Sequence, residues 1–290
     1  MKPPPFDYHA PRTVGEALEV LADAGPEGKV LAGGQSLIPL MNMRLAAPAR
    51  LVDINRIGAL DTVTADARGV RVGALARHAT VERSAAVAER QPLLRQALRH
   101  VAHPVIRNRG TVVGSIVHAD PAAELPAVLA LLGGTVRLAR HGAPEREVPA
   151  AEFFLGPLES ALQPGELAVS AFFPALPPGS GTAFCEIARR HGDFALAGVA
   201  ALVTLDDDLR ITTAKVACIG VGPVPVVVDV SAECARRPAA SADWPAVAAA
   251  VRDRVEPEDD IHATAEYRRH LTGVLAERAL RLAAERASHG

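Results

Sequence analysis

Two glycine-rich segments that lie far apart in the chain limit what it can fold into. The first, residues 29–37, is an apolar run that ends in Gly33 and Gly34 and continues with small polar residues; the second, residues 109–115, has the same character. Glycine has no Cβ, so backbone amides there can turn toward an anion and a ligand can approach closely. Two such loops in one domain suggest a ligand with two phosphates, or one long ligand gripped twice. Each loop alone is also compatible with an ordinary tight turn.

The composition excludes several classes of protein. The 290 residues suffice for two domains, or for one large domain with an appendage, and 49% of them are hydrophobic. Only 3% are aromatic, so the core must be built from Ala, Val and Leu. A formal net charge of -2 without a long basic run argues against nucleic acid as a partner. Because the chain has neither an apolar run of about 18 residues nor a signal peptide, we expect a cytoplasmic protein without a membrane span.

The cysteines exclude a metal centre of the usual kinds. Cys185, Cys218 and Cys234 are far apart, and no C-x-x-C pattern occurs. By themselves they cannot hold an iron–sulfur cluster or an ordinary structural zinc ion. We therefore expect buried free thiols and no metal site.

Periodicity and capping signals predict an α+β chain that changes character near residue 178. Thr13 and Glu16 form a capping box at the start of a helix, and Asp120 is expected to cap a helix that runs to Leu132. The Pro- and Gly-rich residues 174–181 read as a linker. Before this linker, the remaining predicted elements are strands at 29–31, 50–54, 70–75, 135–139 and 167–173 and helical segments at 37–45, 80–89 and 92–102. After it, we expect three antiparallel strands at 183–188, 195–205 and 211–221 and helices at 244–255 and 265–284. The last helix is predicted to bury a stripe of Tyr267, Leu271, Val274, Leu275 and Leu282.

Several well-known catalytic motifs are missing from the sequence. It contains neither the dinucleotide fingerprint G-x-G-x-x-G after a strand nor the phosphate loop G-x-x-x-x-G-K-[ST]. It also lacks the G-x-S-x-G nucleophile elbow and the zinc motif H-E-x-x-H. Spacing alone therefore favours a diphosphate ligand and predicts no catalytic residue.

Separated segments carry a specific pattern over nearly the whole chain. They lie at residues 32–40, at Arg44-Leu45, Pro48 and 51–54, and at 106–115, 119–126, 189–195 and 266–271. In this order, they closely resemble the FAD-binding medium subunit of molybdenum hydroxylases, a family that includes the carbon monoxide dehydrogenase flavoprotein and the flavin domain of xanthine dehydrogenase.

The resemblance implies a fold and a division of the chain. Residues 1–177 would form a PCMH-type FAD-binding domain of two α+β subdomains, at about 1–57 and 58–177, which clasp FAD. Residues 178–290 would form a C-terminal flavoprotein domain with a three-stranded antiparallel sheet and helices.

The resemblance also implies which residues bind FAD. The two glycine loops would hold its pyrophosphate through backbone amides, assisted by the hydroxyl groups of Thr111 and Ser115. Lys29 would lie at the edge of the adenine–ribose region. The full set of cofactor-binding residues is Lys29, Ala32, Gly33, Gly34, Gln35, Ser36, Thr111, Gly114, Ser115, Glu124 and Phe194.

Two of these positions, and the neighbouring Val113, carry a further expectation. Glu124 would lie near the polar chain of the flavin, or it is simply a first-turn carboxylate favoured by the helix dipole. Phe194 would lie near the isoalloxazine ring, or it is a core aromatic. Val113 stands where relatives carry a glycine, and a positive φ at that position would strain valine.

The function implied by the resemblance is electron transfer inside a larger enzyme. Electrons from a large molybdopterin-binding subunit would pass through the clusters of a small [2Fe–2S] subunit to FAD in this chain, and then to an external acceptor. The assembly would be a heterotrimer or its dimer. The alternatives are a free-standing FAD-dependent oxidoreductase and a non-catalytic nucleotide-binding protein. In such an enzyme the large subunit would choose the substrate.

Overall fold

The N-terminal part of this computed structural model, which describes residues 2–289, is a small parallel sheet with two helices. Its elements are β1 (Asp7–His9), α1 (Val14–Ala24), β2 (Gly28–Leu31), α2 (Leu37–Asn42) and β3 (Arg50–Asp53). The strands lie in the order β1–β3–β2, and both neighbouring pairs are parallel. The sequence did not indicate β1, whose three residues are too short to show a period. Thr13 caps α1 as predicted, but the Glu16 carboxylate accepts from the Arg12 amide rather than from Thr13.

The second part is a five-stranded antiparallel sheet with helices packed on it. The strands lie in the order β4–β5–β10–β6–β7, and β8 and β9 form a separate two-stranded sheet. The elements are β4 (Val63–Asp66), β5 (Gly69–Gly73), α3 (His78–Arg83), α4 (Ala85–Arg90), α5 (Pro92–Leu98), α6 (Pro104–Arg107), α7 (Val112–His118), α8 (Glu124–Leu132), β6 (Thr135–Arg140), β7 (Arg146–Pro149), α9 (Ala150–Phe153), β8 (Phe154–Gly156), β9 (Glu159–Ser160) and β10 (Glu166–Pro174).

Two predicted helices of this part differ from the observed ones. The helix expected at 80–89 is two helices, because Ser84 is extended between them and its hydroxyl caps α4 through the Val87 amide. The helix expected from Asp120 begins at Glu124 instead. Asp120 accepts from the Ala122 amide at 2.8 Å, which makes a local turn before the helix. A side chain that caps a turn and one that caps a helix both accept a hydrogen bond from a backbone amide a few residues further along the chain. The sequence therefore does not distinguish the two structures.

The C-terminal part is a four-stranded antiparallel sheet with one face covered by a long helix. Its elements are β11 (Ser180–Ala188), β12 (Ala195–Leu205), β13 (Ile211–Ile219), β14 (Val226–Asp229), α10 (Ser231–Cys234), α11 (Trp244–Arg252) and α12 (Ala265–Ser288). The strand β14 adds a fourth strand to the three that were predicted. The three cysteines of this part are buried free thiols, as expected.

The buried face of α12 is only partly the one predicted. Leu271 and Leu275 are buried, whereas Tyr267 is 47% exposed and Val274 is 40% exposed. The helix turns a row of small residues toward the sheet instead, namely Thr272, Ala276, Ala279, Ala283 and Ala287. A Cβ built on Gly181 of β11 would collide with the carbonyl oxygen of Ala283. The helix and the sheet are therefore in backbone-to-backbone contact, which large apolar side chains would prevent.

The three parts share their cores. Phe184, Ala200 and Leu202, on the opposite face of the C-terminal sheet, belong to the same buried cluster as the core of the first two parts. Residues of α5 and α8 form the other side of this contact. No helix within residues 2–289 combines the length and the apolar character needed to cross a bilayer.

Candidate functional site

A cavity of about 530 Å³ lies where the three parts meet. Its walls come from the loop after β2, from the segments around α3, α7 and α8, and from the connection between β11 and β12. All eleven residues predicted to bind the cofactor line this one cavity: Lys29, Ala32, Gly33, Gly34, Gln35, Ser36, Thr111, Gly114, Ser115, Glu124 and Phe194. Residues from segments as far apart in the sequence as Lys29 and Phe194 thus line a common cleft.

The two glycine loops touch at the floor of the cleft. A Cβ built on Gly33 would lie 2.6 Å from the Arg109 carbonyl oxygen and 2.8 Å from the Cα of Gly110. Real Cβ atoms do not approach backbone atoms this closely, so the approach depends on glycine. Gly34 has a φ of +73°, a left-handed conformation that glycine adopts without strain. The first loop therefore uses one glycine for the contact and the next for the turn.

The first loop presents a row of backbone amides with no intramolecular acceptor. The N–H groups of residues 33–37 donate to no backbone or side-chain acceptor within residues 2–289. All five residues line the cavity and are partly exposed to it. Buried or partly buried amides are nearly always paired in a folded protein. A run of unpaired amides on one concave surface is a site for an anion.

The second loop opens a helix rather than forming a free turn. Thr111 is the N-cap of α7, and its Oγ1 accepts from the Gly114 amide at 3.1 Å. The Ser115 amide donates to the Thr111 carbonyl and the Val112 amide donates to Ala76. The backbone amide of Val113, in the first turn of α7, has no acceptor among the described residues.

Val113 is not strained, contrary to the expectation drawn from its replacement of a glycine. It lies within α7, is 2% exposed, and does not have a positive φ. A right-handed helix does not require the left-handed backbone conformation that would strain valine, and the Val113 side chain packs into the core. The geometry of the second loop therefore accommodates this residue.

A chain of polar side chains joins the two loops behind the cavity. Arg77 donates to the Arg109 carbonyl at 2.5 Å and to the Asn55 side-chain oxygen at 2.6 Å. Asn55 in turn donates to the Ala32 carbonyl at 2.8 Å. Asn55 and Arg77 were not predicted from the sequence, because neither belongs to a glycine loop and no local pattern marks them.

His78 is a buried titratable group in the cavity wall that the sequence analysis also missed. Its side chain is 5% exposed, and neither ring nitrogen has a hydrogen-bond partner of suitable geometry within residues 2–289. Burial, assisted by the nearby cations Arg107 and Arg77, lowers the pKa of His78 to about 4. The imidazole is therefore neutral at neutral pH and keeps one donor and one acceptor for a ligand.

Glu124 is the buried carboxyl group of the site. It is the first residue of α8 and is 8% exposed. Burial raises the pKa of Glu124 to about 8, and the negative charges of Glu186 and Asp120 add to this effect. A carboxyl group in this state carries its proton at neutral pH and can donate a hydrogen bond into the cavity.

Lys29 and Phe194 line the cavity from different parts of the fold. Lys29 is exposed, in β2. Phe194 is 62% exposed in the connection between β11 and β12, so the core interpretation of this aromatic is wrong. The same connection contains Gly192, which packs against the ring of His103 at a distance that a Cβ would not allow, and Asp193, which pairs with Arg190 at 3.3 Å.

These features fit a long ligand with a diphosphate near its middle. The unpaired amides and Lys29 suit negative charge, while apolar residues such as Leu40, Val117 and Leu162 suit flat rings. No group of three or more His, Cys, Asp or Glu able to hold a metal ion occurs in the part of the chain that the structure describes.

Comparisons with known proteins point in the same direction. One family model, described as the FAD binding domain in molybdopterin dehydrogenase, matches residues 4–176, and another, the CO dehydrogenase flavoprotein C-terminal domain, matches residues 182–283. The chain is 41% identical over 288 residues to the 6-hydroxypseudooxynicotine dehydrogenase complex subunit alpha of Paenarthrobacter nicotinovorans, covering 99% of this chain and 97% of the relative. It is 37% identical over 290 residues to the caffeine dehydrogenase subunit beta of Pseudomonas sp. strain CBB1, covering 100% and 98%. Carbon monoxide dehydrogenase from Hydrogenophaga pseudoflava contains a chain of the same fold, with a TM-score of 0.92, 34% identity and 99% coverage of both chains.

Proposed function

Because this chain belongs to the family of FAD-binding medium subunits of molybdenum hydroxylases, we propose that it transfers electrons within such an enzyme. It is a flavoprotein oxidoreductase subunit whose cofactor is FAD. In the proposal, a large molybdopterin-binding subunit passes electrons to the [2Fe–2S] clusters of a small partner subunit, and this chain takes them from those clusters. It then passes them to an external acceptor, and the three subunits assemble as a heterotrimer or its dimer.

The row of unpaired amides in the first glycine loop is the observation that carries the assignment of the site. Residues 33–37 line the cavity and their N–H groups have no acceptor within residues 2–289, and the contact between Gly33 and Gly110 brings the second loop next to them. A diphosphate bridge between the loops would satisfy these donors. The hydroxyl groups of Thr111 and Ser115 line the same part of the cavity.

The remaining site residues give the bound molecule a direction. Lys29 at one end would meet the adenosine half, and Phe194 at the other end would lie against the flavin half. Between them, the protonated carboxyl group of Glu124 would donate to the polar chain. When bound, FAD supplies the redox chemistry, since flavins exchange electrons singly or in pairs. The chain itself binds and orients the cofactor and limits the access of water.

The proposal is tested with the full chain, first alone and then with its partners. The FAD-free chain should take up FAD stoichiometrically and acquire a flavin absorbance spectrum. A reduced small cluster subunit should then bleach this absorbance, and an electron acceptor should restore it. Failure to bind FAD would contradict the site. Substrate turnover by the isolated chain would show that it is a free-standing oxidoreductase and would contradict the electron-transfer role.

A further inference from the structure

One guanidinium group connects the two glycine loops from behind. Arg77 donates from one terminal nitrogen to the carbonyl oxygen of Arg109 and from the other to the side-chain oxygen of Asn55. Asn55 then donates to the carbonyl oxygen of Ala32. The carbonyl groups at the two ends belong to the residues that directly precede Gly33 and Gly110. Three hydrogen bonds of 2.5, 2.6 and 2.8 Å thus span the two loops at the point where they touch.

Both ends of this connection are fixed to regular structure. Asn55 is oriented by Asp53, which accepts from the Asn55 backbone at 2.9 Å and from its side chain at 2.6 Å. Asp53 also accepts from the hydroxyl group of Tyr8 at 2.6 Å. On the other side, the residues flanking Arg77 exchange backbone hydrogen bonds with the second loop, since Val112 donates to Ala76 and His78 donates to Gly110.

The charge of Arg77 is not paired directly with a carboxylate. No Asp or Glu oxygen lies within 4.0 Å of its side-chain nitrogens within residues 2–289, and its two acceptors are neutral oxygens. Burial lowers the pKa of Arg77 and the neighbouring charge of Arg109 lowers it further, whereas the negative charges of Asp61 and Asp53 raise it. Because these two carboxylates act on the half-buried cation only from a distance, a diphosphate on the other side of the loops would add a favourable charge interaction.

We propose that Arg77 is the positioning residue of the cofactor site. Its guanidinium group holds the two glycine loops at the spacing that a diphosphate requires, and its charge stabilises the diphosphate through the loops. The proposal rests on the assignment of the loops as the FAD site. Arg77 does not line the cavity, so it acts through the backbone of Arg109 and through Asn55 rather than by touching the cofactor.

The test compares nucleotide binding by variants of the full chain from which FAD has been removed. Affinity for FAD is measured by the quenching of flavin fluorescence, and affinities for ADP and adenosine by displacement of FAD. Arg77→Met should weaken binding of FAD and of ADP about 10- to 100-fold, the effect of losing charge-assisted hydrogen bonds. Adenosine, which has no phosphate, should change by less than about threefold. Arg77→Lys keeps the charge but cannot span two acceptors with a planar fork, so it should restore only part of the loss.

Three further variants separate the possible outcomes. Asn55→Leu breaks the same connection while leaving Arg77 in place, and it should reproduce the pattern if Arg77→Met does not fold. Arg56→Met removes an exposed cation next to Asn55, in the 3-10 turn Ile54–Arg56. The Arg56 side chain has no hydrogen bond among the described residues, so this variant should bind FAD normally. Gly33→Ala tests the site itself.

Two results would overturn the inference. If Arg77→Met and Asn55→Leu bind FAD normally while Gly33→Ala does not, the site stands and the positioning role is wrong. If adenosine loses as much affinity as ADP, the residue supports the fold in general rather than the diphosphate site. Normal FAD binding by Gly33→Ala as well would contradict the proposed site.

Discussion

Gly33, in the loop after β2, and Gly110, in the loop between α6 and α7, are in backbone contact: a Cβ on the first would lie 2.8 Å from the Cα of the second. This contact places the unpaired amides of the first loop opposite the start of α7. It also explains why the two loops, so distant in sequence, belong to a single cavity. Had they faced opposite sides of the molecule, no common ligand could link them.

We expect Gly33→Ala to weaken FAD binding about 100-fold, since a methyl group would push against the carbonyl of Arg109 and separate the loops at a cost of about 3 kcal/mol. Gly58→Ala is the matched control, because a Cβ at that position has no neighbour within 4 Å among the described residues. Titration of the FAD-free proteins with FAD measures the effect. Equal affinity of both variants would show that the loops do not have to touch.

Glu124 should make the stability of the FAD-free chain fall as the pH rises. Burial raises its pKa from 4.5 to about 8, so between these values the folded chain keeps a proton that the unfolded chain has released. The free energy of unfolding should therefore fall between pH 4.5 and 8, by at most about 5 kcal/mol. Glu124→Gln should remove this fall, measured by urea unfolding at pH 5 and pH 8.5. Glu266→Gln, at an exposed first-turn position of α12, controls for the loss of one charge. An unchanged slope in Glu124→Gln would contradict the prediction.

His78 should make the stability of the FAD-free chain fall as the pH is lowered, which is the opposite of the effect of Glu124. Its pKa is lowered from 6.5 to about 4 mainly by burial, so within this range the unfolded chain binds a proton that the folded chain does not. Stability should therefore decline as the pH falls from 6.5 to 4, by about 3 kcal/mol. His78→Asn should flatten this part of the urea-unfolding profile, whereas His262→Asn at an exposed position should not. A decline that survives in His78→Asn would assign the acid sensitivity to other groups.

The sequence predicted the residues that line the cavity better than the contacts that hold them. Glycine loops and capping residues are local signals, and they led to Gly33, Gly34 and the start of α7. The connection through Asn55 and Arg77 depends on which segments meet in three dimensions. An arginine after a strand looks the same whether it faces water or a carbonyl group, so nothing local marks it.

Element boundaries failed where one side chain had several possible partners. Asp120 precedes a proline and was expected to cap a helix, but its carboxylate turns to the Ala122 amide and the helix starts later. On α12 the large apolar residues were expected to face the core, yet Tyr267 and Val274 are exposed. The alanines of α12 face the sheet because Gly181 on β11 approaches the helix closely. No sequence pattern within the helix reveals this approach.

Arg268 should be the most sensitive position of the C-terminal part. Its side chain is 8% exposed and donates to the carbonyl oxygens of Leu196 at 2.6 Å and Gly220 at 3.1 Å and to Asp260 at 2.6 Å. Arg268→Met would leave these acceptors without their donor, so the free energy of unfolding should fall by about 3 kcal/mol. Trp244 reports on this directly, since it is the only tryptophan and lies buried in the C-terminal core.

The matched control for Arg268 lies on the same helix. Arg281 pairs with Glu277 at 2.8 Å, but the two side chains are 48% and 36% exposed to water, so Arg281→Met should change stability by less than about 0.5 kcal/mol. Urea unfolding followed by the fluorescence of Trp244 measures both variants. Equal stabilities of the two would mean that water replaces the guanidinium of Arg268 at the ends of β12 and β13. In that case the bonds between α12 and the sheet would not hold the C-terminal part together, and the packing of its alanines against Gly181 would have to do so.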